Sequence, residues 1–119
     1  MKFKRWIRKS FTFTFAQGAA GAALVQSASI AIEGELLWIH QINSDNAGSR
    51  TAQLTIEDEE NIGIFDGTAK AANAGYNHEF GVTIRRILSG ANTLKCTLSG
   101  DPGAGGATIK AVVYCFGVQ

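Results

Sequence analysis

The densest group of residues able to do chemistry is Glu57-Asp58-Glu59-Glu60, with Asp66 close behind. Carboxylate oxygens are the ligands that calcium prefers, and loops of β-sandwiches can supply them. Here the acids are consecutive, so at a strand end they point in different directions and lack the alternating spacing of a calcium loop. A solvated acidic turn is expected. The two histidines, His40 and His78, lie far apart in the chain. His40 stands in an apolar run on the same face as Trp38 and reads as a core or interface histidine. Serines are common, but no elbow motif or third group marks a triad. Cys96 and Cys115 have neither metal-ligand spacing nor a CxxC pattern, and both fall on inward positions of apolar strands, so buried free thiols are expected. The glycines of QGAAGAA lack the lysine and the strand-to-helix setting of a phosphate loop. No catalytic residue, cofactor or metal is assigned, and the chain does not read as an enzyme.

Basic residues give a clearer signal. The net charge of +1 over 119 residues hides Lys2, Lys4, Arg5, Arg8 and Lys9, all within the first nine positions and with no acid among them. The remaining chain holds six basic and ten acidic residues, a balance of −4. Such an arm can find nucleic acid, a membrane surface or an acidic patch on a neighbour. Arg50 and Arg85-Arg86 are not interleaved with exposed aromatics on a strand face, so specific nucleic-acid reading is not expected. Phe3, Trp6 and Ile7 sit at helical spacing among the cations, which suggests one short amphipathic turn that docks on something. The basic start followed by an apolar stretch has the outline of a signal peptide, but Thr12, Thr14, Gln17 and the glycines interrupt it, and none is expected. No stretch approaches the roughly 18 apolar residues of a membrane-spanning helix, and no membrane partner is assigned.

The elements that must position these residues are strands. SFTFTFA alternates Phe11, Phe13 and Phe15 against Thr12 and Thr14, the pattern of a strand with one buried face. Leu24 to Glu33, Thr51 to Glu57, Ile62 to Phe65, His78 to Arg86 and Thr93 to Ser99 follow, each bounded by Gly, Asn, Asp or Ser. Gly34 to Asn43 (GELLWIHQIN) and Ala107 to Gly117 are apolar on both parities, which predicts two neighbouring central strands covered on both faces. Eight strand candidates at short, regular spacing, with no convincing helix, predict an all-β fold. It is a two-sheet antiparallel β-sandwich of jelly-roll or related Greek-key topology, with an extended N-terminal arm. Residues 1–9 form the arm and 10–119 a single sandwich domain; the Cys and Trp placement does not fit an immunoglobulin framework.

What is left over is apolar surface: Leu37 and Ile39 or Trp38 and His40 on one central strand, Val112, Tyr114 and Phe116 on the other, and the arm's own Phe3, Trp6 and Ile7. Aromatic residues in surplus anchor interfaces. The predicted interface is therefore Lys2, Phe3, Lys4, Arg5, Trp6, Ile7, Arg8, Leu37, Ile39, Tyr114 and Phe116. The phrases SFTFTFA, IAIEGELLWIHQINSDNAGSRTAQLTIED, ENIGIFDG and TLKCTLSGDPGAGGATIKAVVYCF resemble the small all-β virion structural proteins of tailed bacteriophages, capsid decoration or cement proteins above all. That resemblance implies location in the virion, binding to a major capsid or other virion protein, and a homo-oligomer, with a trimer favoured. It carries over no functional residue. A tail or connector component is one alternative. A ligand-binding sandwich such as a carbohydrate-binding module, with Trp6 or Trp38 as stacking platform, is the other.

Overall fold

The computed structural model describes residues 3–44, 50–71, 74–79 and 86–119, with the backbone alone at Glu79. The strands among them are β1 (Arg5–Phe15), β2 (Val25–Ile30), β3 (Glu33–Asn43), β4 (Ala52–Glu57), β5 (Gly63–Asp66), β6 (Gly75–Glu79), β7 (Arg86–Ser89), β8 (Asn92–Leu98) and β9 (Ala107–Val118). A single 3-10 turn, Gly21–Leu24, is the one helical element among the described residues. One antiparallel sheet runs β1-β9-β3-β6, with β7 also paired to β3; the other runs β2-β8-β4-β5. Neighbours thus come from opposite limbs of one doubled-back chain: β1 with β9, β2 with β8, β3 with β6 and β7, β4 with β5. Alternate pairs fall in opposite sheets, which is the winding of a jelly roll. The predicted all-β sandwich is the fold observed, and the two doubly apolar strands are indeed neighbours, β3 pairing with β9 over most of its length.

Alternation decides what is buried. Phe13 and Phe15 of β1, Ala52, Leu54 and Ile56 of β4, Leu94, Cys96 and Leu98 of β8, and Ile109, Ala111, Val113 and Cys115 of β9 all enter the core, as their parity dictates. In β3 the parity changes partway. Leu36 opposes Cys115 and Trp38 opposes Tyr114, so Leu37 is an extra residue at a bulge. A one-residue slip exchanges the faces of everything after it. The inward set passes from Leu36 to Ile39, Gln41 and Asn43. Ile39, expected at the interface, is therefore fully buried in the sandwich core at 0% exposure, and Trp38 takes the outer position.

A second correction concerns the arm. Arg5 to Lys9 form no helical turn; they are the first half of β1 and lie opposite Val113 to Gly117 of β9. Pairing with β9 supplies backbone partners that so short a helix would lack. Extended backbone then sends alternate residues to opposite faces, so Ile7 turns inward and joins the core at 8% exposure. The single strand expected over His78 to Arg86 corresponds to β6 and β7, which pair with successive halves of β3. Phe80, Val82 and Ile84 lie outside the described residues, as do most of the turn expected after Asn43 and Lys2 of the predicted interface.

Two local devices hold β3 in place. Gly34 faces Gly117 across the β3–β9 ladder. A Cβ on Gly34 would lie 2.3 Å from the Phe116 carbonyl oxygen, and one on Gly117 would lie 2.3 Å from that of Glu33. Only paired glycines let the two backbones come this close. At the other end, buried Gln41 donates through Nε2 to Asn43 Oδ1 and to the Ala52 carbonyl, both at 3.0 Å. Asn43 Nδ2 in turn donates to the carbonyls of Lys70 and Ala71. Because the Gln41 amide nitrogen is spent on acceptors, its Oε1 accepts from His78 Nε2 at 2.8 Å. The imidazole also meets the Phe65 ring edge-on. Burial, helped by Lys70, holds the His78 pKa below its usual value.

Candidate interaction face

The face of the β1-β9-β3 sheet that points away from the core is a set of cross-strand rungs. At one end Trp6 of β1 is level with Phe116 of β9, Glu35 of β3 and Ile87 of β7. The next rung is Arg8, Tyr114 and Trp38. Below it come Ser10, Val112 and His40, then Thr12, Lys110 and Ile42. The upper two rungs are mainly aromatic, with Arg8 and Glu35 as their charged members, whereas the lower two are mostly polar. Directly opposed residues in a sheet stand close enough for their side chains to touch. Trp6 meets Phe116 with ring centroids 4.8 Å apart and tilted, and Trp38 stacks on Tyr114 at 4.2 Å. An open cleft of about 320 Å³ lies between them, lined by Trp6, Arg8, Leu37, Trp38 and Tyr114 together with Ile7 and Cys115. The bulge creates part of this wall by turning Leu37 and Trp38 toward the cleft.

The exposure is large for apolar groups. Phe3 is 76% exposed, Trp6 74%, Ile87 58% and Trp38 39%. Lys4 lines a neighbouring groove with Glu33, Glu35, Ile87 and Phe116. Phe3 and Arg5 border Val118 and Gln119 at the same end. Of the predicted interface, Phe3, Lys4, Arg5, Trp6, Arg8, Leu37, Tyr114 and Phe116 thus gather at one end of the sheet, while Ile7 and Ile39 face the core. Ile87 lies one residue beyond the strand expected over His78 to Arg86, whereas the observed β7 runs Arg86–Ser89. Trp38 was one of two offered parities, and only the bulge chose between them.

The lower rungs and the sandwich edges hold less chemistry. His40 Nδ1 is hydrogen-bonded to Asn77 Oδ1 across β3 and β6 at 2.7 Å. In the acidic turn, Asp58 Oδ1 accepts the backbone N–H groups of Glu60 and Ile62, and Glu57 pairs with Lys95 at 3.1 Å. Those carboxylates are thus occupied in separate directions, and no group of three metal-ligating side chains gathers among the described residues. Asp101 Oδ1 accepts from the N–H groups of Gly103 and Gly18, bonds that hold its carboxyl below the usual range. Cys96 and Cys115 are free and buried, with their thiols pushed up to about 12 and about 11 by burial.

No protein-family model matches the chain, and no curated protein matches it. Among solved structures it is similar to a chain of the infectious bursal disease virus Gx strain, at 12% identity and a TM-score of 0.42 over 95% of this chain and 33% of that one. It is also similar to a chain of the infectious bursal disease virus VP2 subviral particle, at 12% identity and a TM-score of 0.39 over 96% of this chain and 33% of that one. The chain spans about a third of the length of the solved chains it matches. At such identities and scores these likenesses decide neither fold nor function.

Proposed function

We propose that this chain is a structural protein of a virus particle, of decoration or cement type, that binds a major capsid or other virion protein through the aromatic end of its outer sheet. One observation carries the reading: four of the seven exposed large hydrophobic side chains among the described residues, Phe3, Trp6, Trp38 and Ile87, gather at this end, with Trp6 against half-buried Phe116 and Trp38 stacked on half-buried Tyr114. Lys4, Arg5 and Arg8 border them. Aromatic and arginine side chains are what interfaces concentrate at their centres, and contiguous apolar patches mark interaction sites. The jelly roll serves viral capsid domains and also lectins and cupins, so the fold permits this role without deciding it. Self-association belongs to the same reading, and the resemblance to phage proteins favours a trimer.

The test is co-sedimentation with the assembled shell. Removing residues 1–9 is unsuitable, since it takes Arg5 to Lys9 out of β1. Trp6→Glu in the full chain is the better variant, because Trp6 points outward and its loss leaves the core intact. A drop in shell binding of tenfold or more is expected, and unchanged binding would overturn the reading. Binding to isolated tails and not to heads would assign the chain to the tail or connector instead. One observation favours a second reading as a carbohydrate-binding module: Trp38 stacked on Tyr114 beside Arg8 frames a cleft of a size that suits a sugar ring. Glycan binding by the purified chain, lost in Trp38→Ala with unchanged melting, would support it.

A further inference from the structure

We propose that two copies of this chain join edge to edge through β1, antiparallel and centred on Ser10, so that the outer sheet continues across a two-fold axis. The proposal rests on the self-association just described and gives it a surface, in place of the three-fold arrangement favoured by the resemblance. Among the described residues β1 pairs with β9 alone, so no described strand lies along its other edge, which is eleven residues long. A long open edge is a template for another strand, and natural proteins usually blunt one with charge, proline or a covering loop. Here the blunting is one-sided. Arg5, Arg8 and Lys9 occupy the first half of β1, while Ser10 to Phe15 carry no charge and no proline.

The orientation of the edge is readable from one bond. Gln26 Nε2 on β2 donates to the Thr14 carbonyl, which therefore points away from β9. Alternate residues of an antiparallel strand bond to alternate sides, so Trp6, Arg8, Ser10 and Thr12 also direct their N–H and C=O groups along the open edge. A two-fold axis normal to the sheet keeps outward residues outward, so opposed residues must share a face. Centring on Ser10, the midpoint of β1, aligns all eleven residues. Arg5 then opposes Phe15, Trp6 opposes Thr14, Ile7 opposes Phe13, Arg8 opposes Thr12 and Lys9 opposes Phe11. No cation faces a cation, and the charged half of each strand meets the uncharged half of its mate. Centring on Ile7 sets Arg5 against Lys9, centring on Arg8 sets Arg8 against itself, and centring on Lys9 does the same to Lys9; like charges directly opposed in a sheet are unfavourable. Pairing replaces the Gln26 bond to Thr14 with the Trp6 N–H of the second copy.

The register predicts a cross-link. At the centre, Ser10 meets Ser10 as a hydrogen-bonded pair about 5.5 Å apart at Cα, inside the range a disulfide spans. Thr12 of one copy lies four residues along from Thr12 of the other, about 13 Å. Native mass of the full chain is expected to be that of two copies. Oxidised Ser10→Cys should run as a covalent dimer and Thr12→Cys as a single chain; buried Cys96 and Cys115 should not compete. Thr12→Pro removes a free-edge donor at a position where an edge strand tolerates proline, and should give a folded chain of half the mass. Absence of the Ser10→Cys dimer, or equal cross-linking of Thr12→Cys, overturns the proposal. If a defined larger oligomer persists without the cross-link, edge pairing fails and self-association stands. A monomer at every concentration that also binds no particle contradicts both.

Discussion

Asn92 ties together two connections that the strands alone would leave loose. Its Nδ2 donates to the carbonyls of Ile30 at 3.1 Å and Ile32 at 3.2 Å, while its Oδ1 accepts from the Ser89 N–H at 3.0 Å. One buried amide thus fixes the β2–β3 corner and the β7–β8 turn. Asn92→Ala strands these backbone groups, and urea unfolding should report a loss of about 2–3 kcal/mol, since each unsatisfied buried group costs about 1–3 kcal/mol. His78 supplies the pH dependence. Its folded pKa is depressed by burial and by Lys70, so the unfolded chain takes up the proton first as pH falls. The stability tied to its neutral form is therefore complete above the ordinary histidine pKa of about 6.5. It is lost as pH falls through that value toward the lower folded one. Melting temperature should drop between about pH 7.5 and about pH 5, and the drop should shrink in His78→Gln. Neither residue was legible as more than a turn former or a strand residue, because burial of a polar side chain depends on which backbone carbonyls come to meet it.

At the scale of elements, the close approach of β3 to β9 at Gly34 and Gly117 leaves no room for a side chain. Gly34→Ala sets a methyl group against the Phe116 carbonyl and should destabilise by about 2–3 kcal/mol through overpacking. Gly63→Ala, with open space around it, serves as the control in the same thermal unfolding series. Most of the strands were legible because Phe11, Phe13 and Phe15, or Leu94, Cys96 and Leu98, alternate without interruption. β3 was legible as a strand, yet its faces were not. Leu36 to Ile39 (LLWI) is apolar at both parities, so nothing in the pattern marks the bulge at Leu37 that buries Ile39 and exposes Trp38. The arm misled for a related reason. Phe3, Trp6 and Ile7 fit a helical repeat, but a partner strand distant in sequence, Val113 to Gly117, provides hydrogen bonds that local spacing cannot reveal.

At the scale of the molecule, the long strands of the outer sheet matter most. β1, β3 and β9 have eleven, eleven and twelve residues, whereas the longest strand of the facing sheet has seven. They make one extended face with a mainly aromatic end and a polar end, on a body measuring 48 × 25 × 23 Å. The gathering of Phe3, Trp6, Arg8, Trp38, Tyr114 and Phe116 at that end was foreshadowed by composition, but it exists only because β1 and β3 flank β9 in this register. Joined through β1, two copies would set their aromatic ends on the same side of one continuous sheet. The most direct test of the account compares particle binding of Trp6→Glu with that of Ser27→Glu, an exposed position on the opposite sheet. The account predicts that Trp6→Glu loses binding at least tenfold with unchanged melting while Ser27→Glu binds as the parent chain does. Equal binding by the two variants would contradict it.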